Sequence, residues 1–185
     1  MTLATRWTHS APNETAALAA VQRAIARPAV VRAARGWSLF GANASGWLAV
    51  GAVGALADRK RRGDWLTAAA AVAAAHATSI AVKRVVRRHR PDHPDVTVHV
   101  GTPSRLSFPS AHATSTTTAA LVYGGITGRR LAPALVPPML VSRMVLGVHY
   151  PSDVLAGSAL GAVIGLAVRR RLRPYRQAET ARISP

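Results

Sequence analysis

The stretch GWSLFGANASGWLAVGAVGALA, residues 36–57, contains no Asp, Glu, Lys or Arg and is bracketed by Arg35 and Asp58. A helix of about 20 apolar residues crosses a hydrocarbon core of roughly 30 Å, so this stretch reads as a membrane span. Beyond it lies the strongly charged connector 58–64. A second uncharged stretch, 65–82, then ends abruptly at Lys83. Further along, 106–128 forms a third such stretch and 131–150 a fourth, with Arg143 inside it. Residues 152–168, with Asp153 near their start, form a fifth apolar stretch, closed by Arg169, Arg170 and Arg171. Within the fifth, Gly157, Ser158, Gly161 and Gly165 provide the small surface that lets helices pack closely in lipid, where no hydrophobic effect drives them together. The pattern predicts an all-α integral membrane bundle of about five transmembrane helices. A soluble helical domain is the alternative, and the length of the uncharged stretches disfavours it.

Ahead of the spans, residues 14–35 interleave Ala, Leu, Val and Ile with Arg23, Arg27, Arg32 and Arg35. This suggests an amphipathic helix lying at the interface and broken at Pro28. The basic residues run through the whole segment, with no compact apolar stretch and cleavage site of a signal peptide. The expected organisation is an N-terminal interfacial segment 1–36, a membrane domain 37–173 and a polar tail 174–185.

Lys and Arg number 24 against 7 Asp and Glu, a formal charge of +17, which calls for an anionic partner. Lipid headgroups, phosphate esters and nucleic acid all qualify. The charges fall in short clusters between uncharged stretches, and aromatics make up only 5% of the chain, so neither the continuous basic face nor the stacking platform of a nucleic-acid binder is present. The expected partners are therefore a lipid phosphate and membrane lipids, with no nucleic acid. The sequence leaves the oligomeric state open. The chain has no cysteine, which excludes disulfides and thiolate chemistry.

Arg143 is the residue that needs explaining. A charge at mid-membrane costs about 2.5–3.5 kcal/mol on insertion scales, so it calls for a partner or a function. Six residues on is His149, then Pro151 where a new helix can start, then Asp153 in its first turn. From there the Asp153 carboxylate can accept one ring N–H of His149 and leave the other nitrogen free to attack. A second block, Phe108-Pro109-Ser110-Ala111-His112, opens the third span with Ser110 as an N-cap and unpaired amides behind it that suit an anion. His112 is then placed to act as a general acid. The third block follows the second span. Lys83 and Arg90, seven residues or about two turns apart, share a face of a helix that Pro91 ends, and both could meet one phosphate. Taken singly, each block also has a plain structural explanation: a surface His beside a helix-starting Asp, a Ser cap, or basic anchors at a span end.

Together the three blocks resemble the signature of the type 2 phosphatidic acid phosphatase family. Lys83, Arg90, Pro91, Pro109, Ser110, His112, Ser142, Arg143, His149 and Asp153 fall in order at that family's spacing. Only Ala111 departs, where the family usually has Gly. Ala keeps the amide donor, so the site is expected to survive with slightly altered geometry. The resemblance covers roughly 37–171. It implies that Lys83, Arg90, Arg143, Ser110 and the amides from Ala111 onward bind phosphate, that His149 attacks phosphorus, that Asp153 stabilises the imidazolium and that His112 protonates the leaving group. No metal or other cofactor is implied. Vanadium-dependent haloperoxidases have a similar site, but they are typically larger and soluble.

Residues 109–117 and 136–138 look most like small actinobacterial family members acting on polyprenyl-linked phosphosugars. This makes a decaprenyl-linked phosphoribose of arabinan cell-wall biosynthesis the leading substrate. Undecaprenyl pyrophosphate, phosphatidylglycerophosphate and phosphatidic acid are the alternatives, and a membrane scaffold without activity is the rival of another class. Basic residues divide evenly between the two membrane sides. Setting aside Lys83, Arg90 and Arg143 as phosphate ligands leaves the excess opposite the site, which predicts an extracytoplasmic site in the plasma membrane.

Overall fold

A computed structural model describes residues 12–172. Seven α-helices follow in order: α1 (Pro12–Ile25), α2 (Pro28–Phe40), α3 (Ser45–Ala57), α4 (Arg62–Val86), α5 (Ala111–Thr127), α6 (Ala132–Val145) and α7 (Pro151–Arg169). Among the described residues there is no strand, only an isolated antiparallel bridge between His89 and Leu106.

Two helical segments, Arg59–Val86 and Pro151–Arg169, are long and apolar enough to cross a membrane. The stretch 36–57 does not form one straight span. It is divided between α2 and α3, which meet at a 46° bend and make a third crossing if taken as one broken span. At the bend Asn43 (φ 50°) and Ala44 (φ 59°) are left-handed, a conformation that cannot continue a right-handed helix. The third and fourth segments are also shorter than the sequence suggested. Residues 106–110 lie ahead of α5, and α6 stops at Val145, so residues 146–150 form a loop. Gly147 (φ 71°) makes that turn, and a Cβ there would collide with the Thr97 carbonyl.

α5 forms the centre of the bundle and is buried almost all round. Several of its hydroxyl residues bond within the helix, while Thr116 accepts from Trp47 Nε1 (3.0 Å) and Thr117 pairs with Ser158 of α7 (2.8 Å). Thr114 Oγ1 donates to the Ser110 carbonyl (3.0 Å), Ser115 Oγ to Ala111 (3.0 Å) and Thr118 Oγ1 to Thr114 (2.9 Å). α7 packs against α5 through Gly157, Gly161 and Gly165, the close packing expected of small residues. A Cβ on Gly157 would lie 2.5 Å from the Ser110 carbonyl oxygen, and one on Gly161 would meet the Thr114 carbonyl. On the other side, α3 and α4 meet α5 through aromatic rings. Trp65 stacks on Tyr123 at 5.4 Å between centroids, and Tyr123 donates its hydroxyl proton to the Trp47 carbonyl (2.8 Å).

The predicted break at Pro28 is present, between α1 and α2. The segment does not simply lie at an interface, however. Leu18 and Ala19 of α1 are buried with Val96 and Tyr150, and Val31 and Ala34 of α2 pack with Val145, Leu146 and Val148. Gln22 ties α1 to the loops. Its amide nitrogen donates to the carbonyls of Thr97 (2.7 Å) and Val145 (3.0 Å), while its oxygen accepts from the Thr97 amide (3.0 Å). The expected tail 174–185 lies outside the described residues.

Candidate active site

The three blocks converge at one end of the bundle, where the 87–110 connection, the start of α5 and the loop 146–150 meet. Lys83 is in the last turn of α4 and buried, donating from Nζ to the carbonyls of Ser107 (2.7 Å) and Leu106 (3.3 Å). The sequence reading carried this helix on to Pro91, which needs correction. α4 ends at Val86, and Arg87 is left-handed (φ 55°). The chain then runs extended beside 105–107, with Ser107 N donating to the Arg88 carbonyl (2.8 Å) and Arg90 N to that of Arg105 (3.0 Å). Lys83 and Arg90 therefore do not share a helix face. Tertiary pairing brings Arg90 to the site instead. Its Nε donates to the Ser104 carbonyl (2.8 Å), while Nη1 donates to the Val148 carbonyl (2.6 Å) and lies 3.2 Å from His149 Nε2. Burial lowers the Arg90 pKa to about 10, with Asp153 acting in the opposite sense, so it remains a cation at neutral pH.

The Arg90 contact fixes the His149 tautomer. Guanidinium nitrogens only donate, so Nε2 of the neutral ring must be the unprotonated nitrogen, and the hydrogen sits on Nδ1. Nδ1 faces Asp153 Oδ2 at 3.4 Å and has no closer acceptor. The ring is 1% exposed. Burial, then the cations Arg90, Arg143 and Lys83, hold its pKa well below the usual histidine range, so the ring is neutral. Asp153 occupies the first turn of α7, which begins at Pro151 as expected, and its Oδ2 accepts the Tyr150 amide (2.9 Å).

Ser110 is the N-cap of α5, its hydroxyl 3.5 Å from the Ala113 amide, and it is fully buried. The next amides, of Ala111 and His112, belong to the first turn and have no acceptor within the helix. Ala111 adopts an ordinary helical conformation, so this position makes no demand for glycine. His112 Nε2 lies 3.0 Å from the Ser38 carbonyl, an acceptor, which places the ring hydrogen on Nε2 and leaves Nδ1 free for proton exchange. Arg143, 3% exposed, donates from Nη1 to the Ser38 hydroxyl, while its Nε is buried with no hydrogen-bond acceptor among the described residues. An orphaned cationic donor beside a neutral imidazole is what an anion would satisfy. Ser142 points elsewhere, its hydroxyl donating to the Met139 carbonyl (2.8 Å).

Three contributors escaped the sequence reading. Ser38 on α2 holds both His112 and Arg143. Arg88, taken as an anchor, reaches Asp153 Oδ1 (3.1 Å), and Glu14 on α1 grips Arg88 from behind (2.5 Å). Glu14 is the one acidic residue of α1, and this is the only local cue to its role. A cavity of about 480 Å³, with Arg90, His89, Asp92, Arg105 and Val148 in its lining, adjoins the site. An apolar groove of about 350 Å³ runs between α2 and α6 beside Ser142, lined by Trp37, Val141 and Val145.

Residues 64–176 match the sequence profile of the PAP2 superfamily. The chain belongs to the PAP2 superfamily and is an enzyme of its phosphatase class, built as a helical membrane protein. It is 55% identical over 157 residues to the decaprenylphosphoryl-5-phosphoribose phosphatase of Mycobacterium tuberculosis (strain H37Rv), covering 84% of this chain and 89% of that one. It is 56% identical over 146 residues to the protein of the same name from Mycolicibacterium smegmatis, covering 78% of this chain and 81% of that one. The fold matches that of the transmembrane PAP2-type phosphatidylglycerolphosphate phosphatase from Bacillus subtilis, with a TM-score of 0.70 at 20% identity over 98% of this chain and 92% of that one.

Proposed function

We propose that the chain removes the terminal phosphate of decaprenylphosphoryl-5-phosphoribose or a closely similar polyprenyl phosphosugar, through a phosphohistidine at His149. The observation that carries this reading is the buried neutral imidazole. Its unprotonated Nε2 faces Arg90, and its Nδ1 is backed by Asp153. The Nε2 lone pair attacks phosphorus, an N–P bond forms and the ester P–O bond breaks. His112 acts as the imidazolium: a substrate arriving as its monoanion passes its phosphate proton to Nδ1, and Nδ1 gives that proton to the departing sugar oxygen. Water then attacks the phosphohistidine with its proton passing to His112, the N–P bond breaks, and inorganic phosphate leaves. Arg90, Arg143, Lys83 and the first amides of α5, capped by Ser110, stabilise charge on the equatorial oxygens.

The names borne by the mycobacterial relatives support the substrate, and the two recesses suit it. The polar cavity beyond Arg90 has room for a sugar, and the apolar α2–α6 groove suits an isoprenoid chain. As a multi-pass protein of the plasma membrane, it would present this site on the extracytoplasmic side, in line with the distribution of basic residues.

The test is phosphate release by purified protein in detergent with a chelator present, across prenyl phosphosugars, prenyl pyrophosphates, phosphatidylglycerophosphate and phosphatidic acid. A kcat/KM at least about tenfold higher for the prenyl phosphosugar supports the assignment, a margin of roughly 1.4 kcal/mol in transition-state binding. Equal or better turnover of another lipid removes it. Offered to intact cells, a water-soluble short-chain analogue should release phosphate into the medium. Release only after permeabilisation would place the site inside.

A further inference from the structure

We propose that Arg88 is a positioning residue, which holds the Asp153 carboxylate in place behind His149 while it is itself braced by Glu14 of α1. This rests on His149 being the nucleophile. Arg88 lies within the third block but is not one of its signature residues, yet it is only 3% exposed and each terminal nitrogen has its own carboxylate. Nη1 donates to Asp153 Oδ1 (3.1 Å) and to the Ser152 hydroxyl (2.6 Å), and Nη2 donates to Glu14 Oε2 (2.5 Å). The guanidinium carbon stands 4.3 Å above the centre of the Tyr150 ring. Glu14 completes the frame by accepting the Ser152 amide on its other oxygen (3.1 Å).

The consequence for Asp153 is geometric. One carboxylate oxygen is taken by Arg88. The other receives the Tyr150 amide and faces His149 Nδ1, so the group cannot rotate away from the ring. A planar fork serving two carboxylates is a task for arginine; lysine offers a single point charge. Arg88 also offsets part of the negative charge that Asp153 presents to His149. The charged and titratable groups facing that ring are Lys83 from α4, Arg90 from the following connection, His112 from α5, Arg143 from α6 and Asp153 from α7. Asp153 is the only anion among these five. With Arg88 gone its charge is less compensated, and His149 keeps a proton to higher pH. The attacking form is the neutral ring, so the acid limb of the kcat/KM profile must then move upward in pH.

The experiment compares wild type, Arg88→Gln, Arg88→Lys and His149→Ala in the same detergent preparation, with thermal unfolding as a check on folding. Arg88→Gln is expected to lower kcat about 10- to 100-fold with KM within about twofold, as when an outer partner of a reacting group is removed. Its acid limb should rise by about one pH unit. Arg88→Lys should return the limb close to wild type while kcat stays severalfold low. A limb at the wild-type position with only the amplitude reduced would mean a structural role, and unchanged kcat would mean none; either overturns the inference. Should Arg88→Gln fail to fold, Arg88→Lys decides, since wild-type kcat in it would exclude any need for the fork. If His149→Ala is inactive while Arg88→Gln behaves as wild type, this inference alone is wrong. If His149→Ala remains active, the underlying site assignment is wrong.

Discussion

Replacing His149 with alanine is expected to reduce phosphate release by at least about 10⁴-fold while leaving the protein folded in detergent; losses on the order of 10⁶ follow removal of a nucleophile elsewhere. The size follows from what the ring supplies. Nε2 is the unprotonated nitrogen at the cationic end of the site, 3.2 Å from Arg90 Nη1. The alternative of water attacking phosphate directly has little to recommend it here. Uncatalysed phosphate monoester hydrolysis is among the slowest reactions known, and the cation cradle without a nucleophile recovers only part of the enzymatic acceleration. Phosphate release from the prenyl phosphosugar by His149→Ala, beside its thermal unfolding, checks both parts of the expectation. Activity within tenfold of wild type would exclude the ring from bond making.

The second large effect is expected at Arg143. Arg143→Ala should lower kcat/KM about 10²- to 10³-fold, the usual consequence of removing one donor that stabilises transition-state oxygens. Arg143 stands in α6, 3% exposed, where a charge without a purpose would cost about 2.5–3.5 kcal/mol on insertion scales. Only one of its nitrogens is engaged by Ser38, and Nε waits without an acceptor. Arg143→Lys should recover little, because the ammonium cannot hold Ser38 and an equatorial oxygen in one plane. Steady-state kinetics on both variants checks this. Near-wild-type kcat/KM in Arg143→Lys would show that charge alone suffices.

Residues whose neighbours in sequence are also their neighbours in space were legible before any coordinates. His149, Pro151 and Asp153 are such a case, because a proline-started helix places its third residue back at the loop. Ser110 and His112 are another, since a cap and the first turn are local. The small residues of α7 marked it as a close-packing helix, but its partner α5 emerged only from the structure. Arg90 does come to lie beside His149, but not by the shared helix face expected of it. Its position comes from pairing of 88–90 with 105–107, and a left-handed Arg87 is something no residue preference would suggest. The bend at 41–44 carried a faint signal in Asn43, a residue type that tolerates positive φ, but 36–57 is uncharged throughout and overrode it. Ser38, Arg88 and Glu14 could not be found in the sequence. They reach the site from separate helices and connections across more than sixty residues of chain, and each looks ordinary in its own neighbourhood.

The most direct measurement is rapid-quench trapping with decaprenylphosphoryl-5-phosphoribose labelled in its terminal phosphate. Wild-type protein is mixed with this substrate in the presence of a chelator and stopped in alkali within milliseconds to seconds. The expected result is transient label on the protein that survives alkali, is lost in acid, maps to His149 and is absent from His149→Ala. Full turnover with no protein-bound label at any time, or label on another residue, would contradict a phosphohistidine at His149.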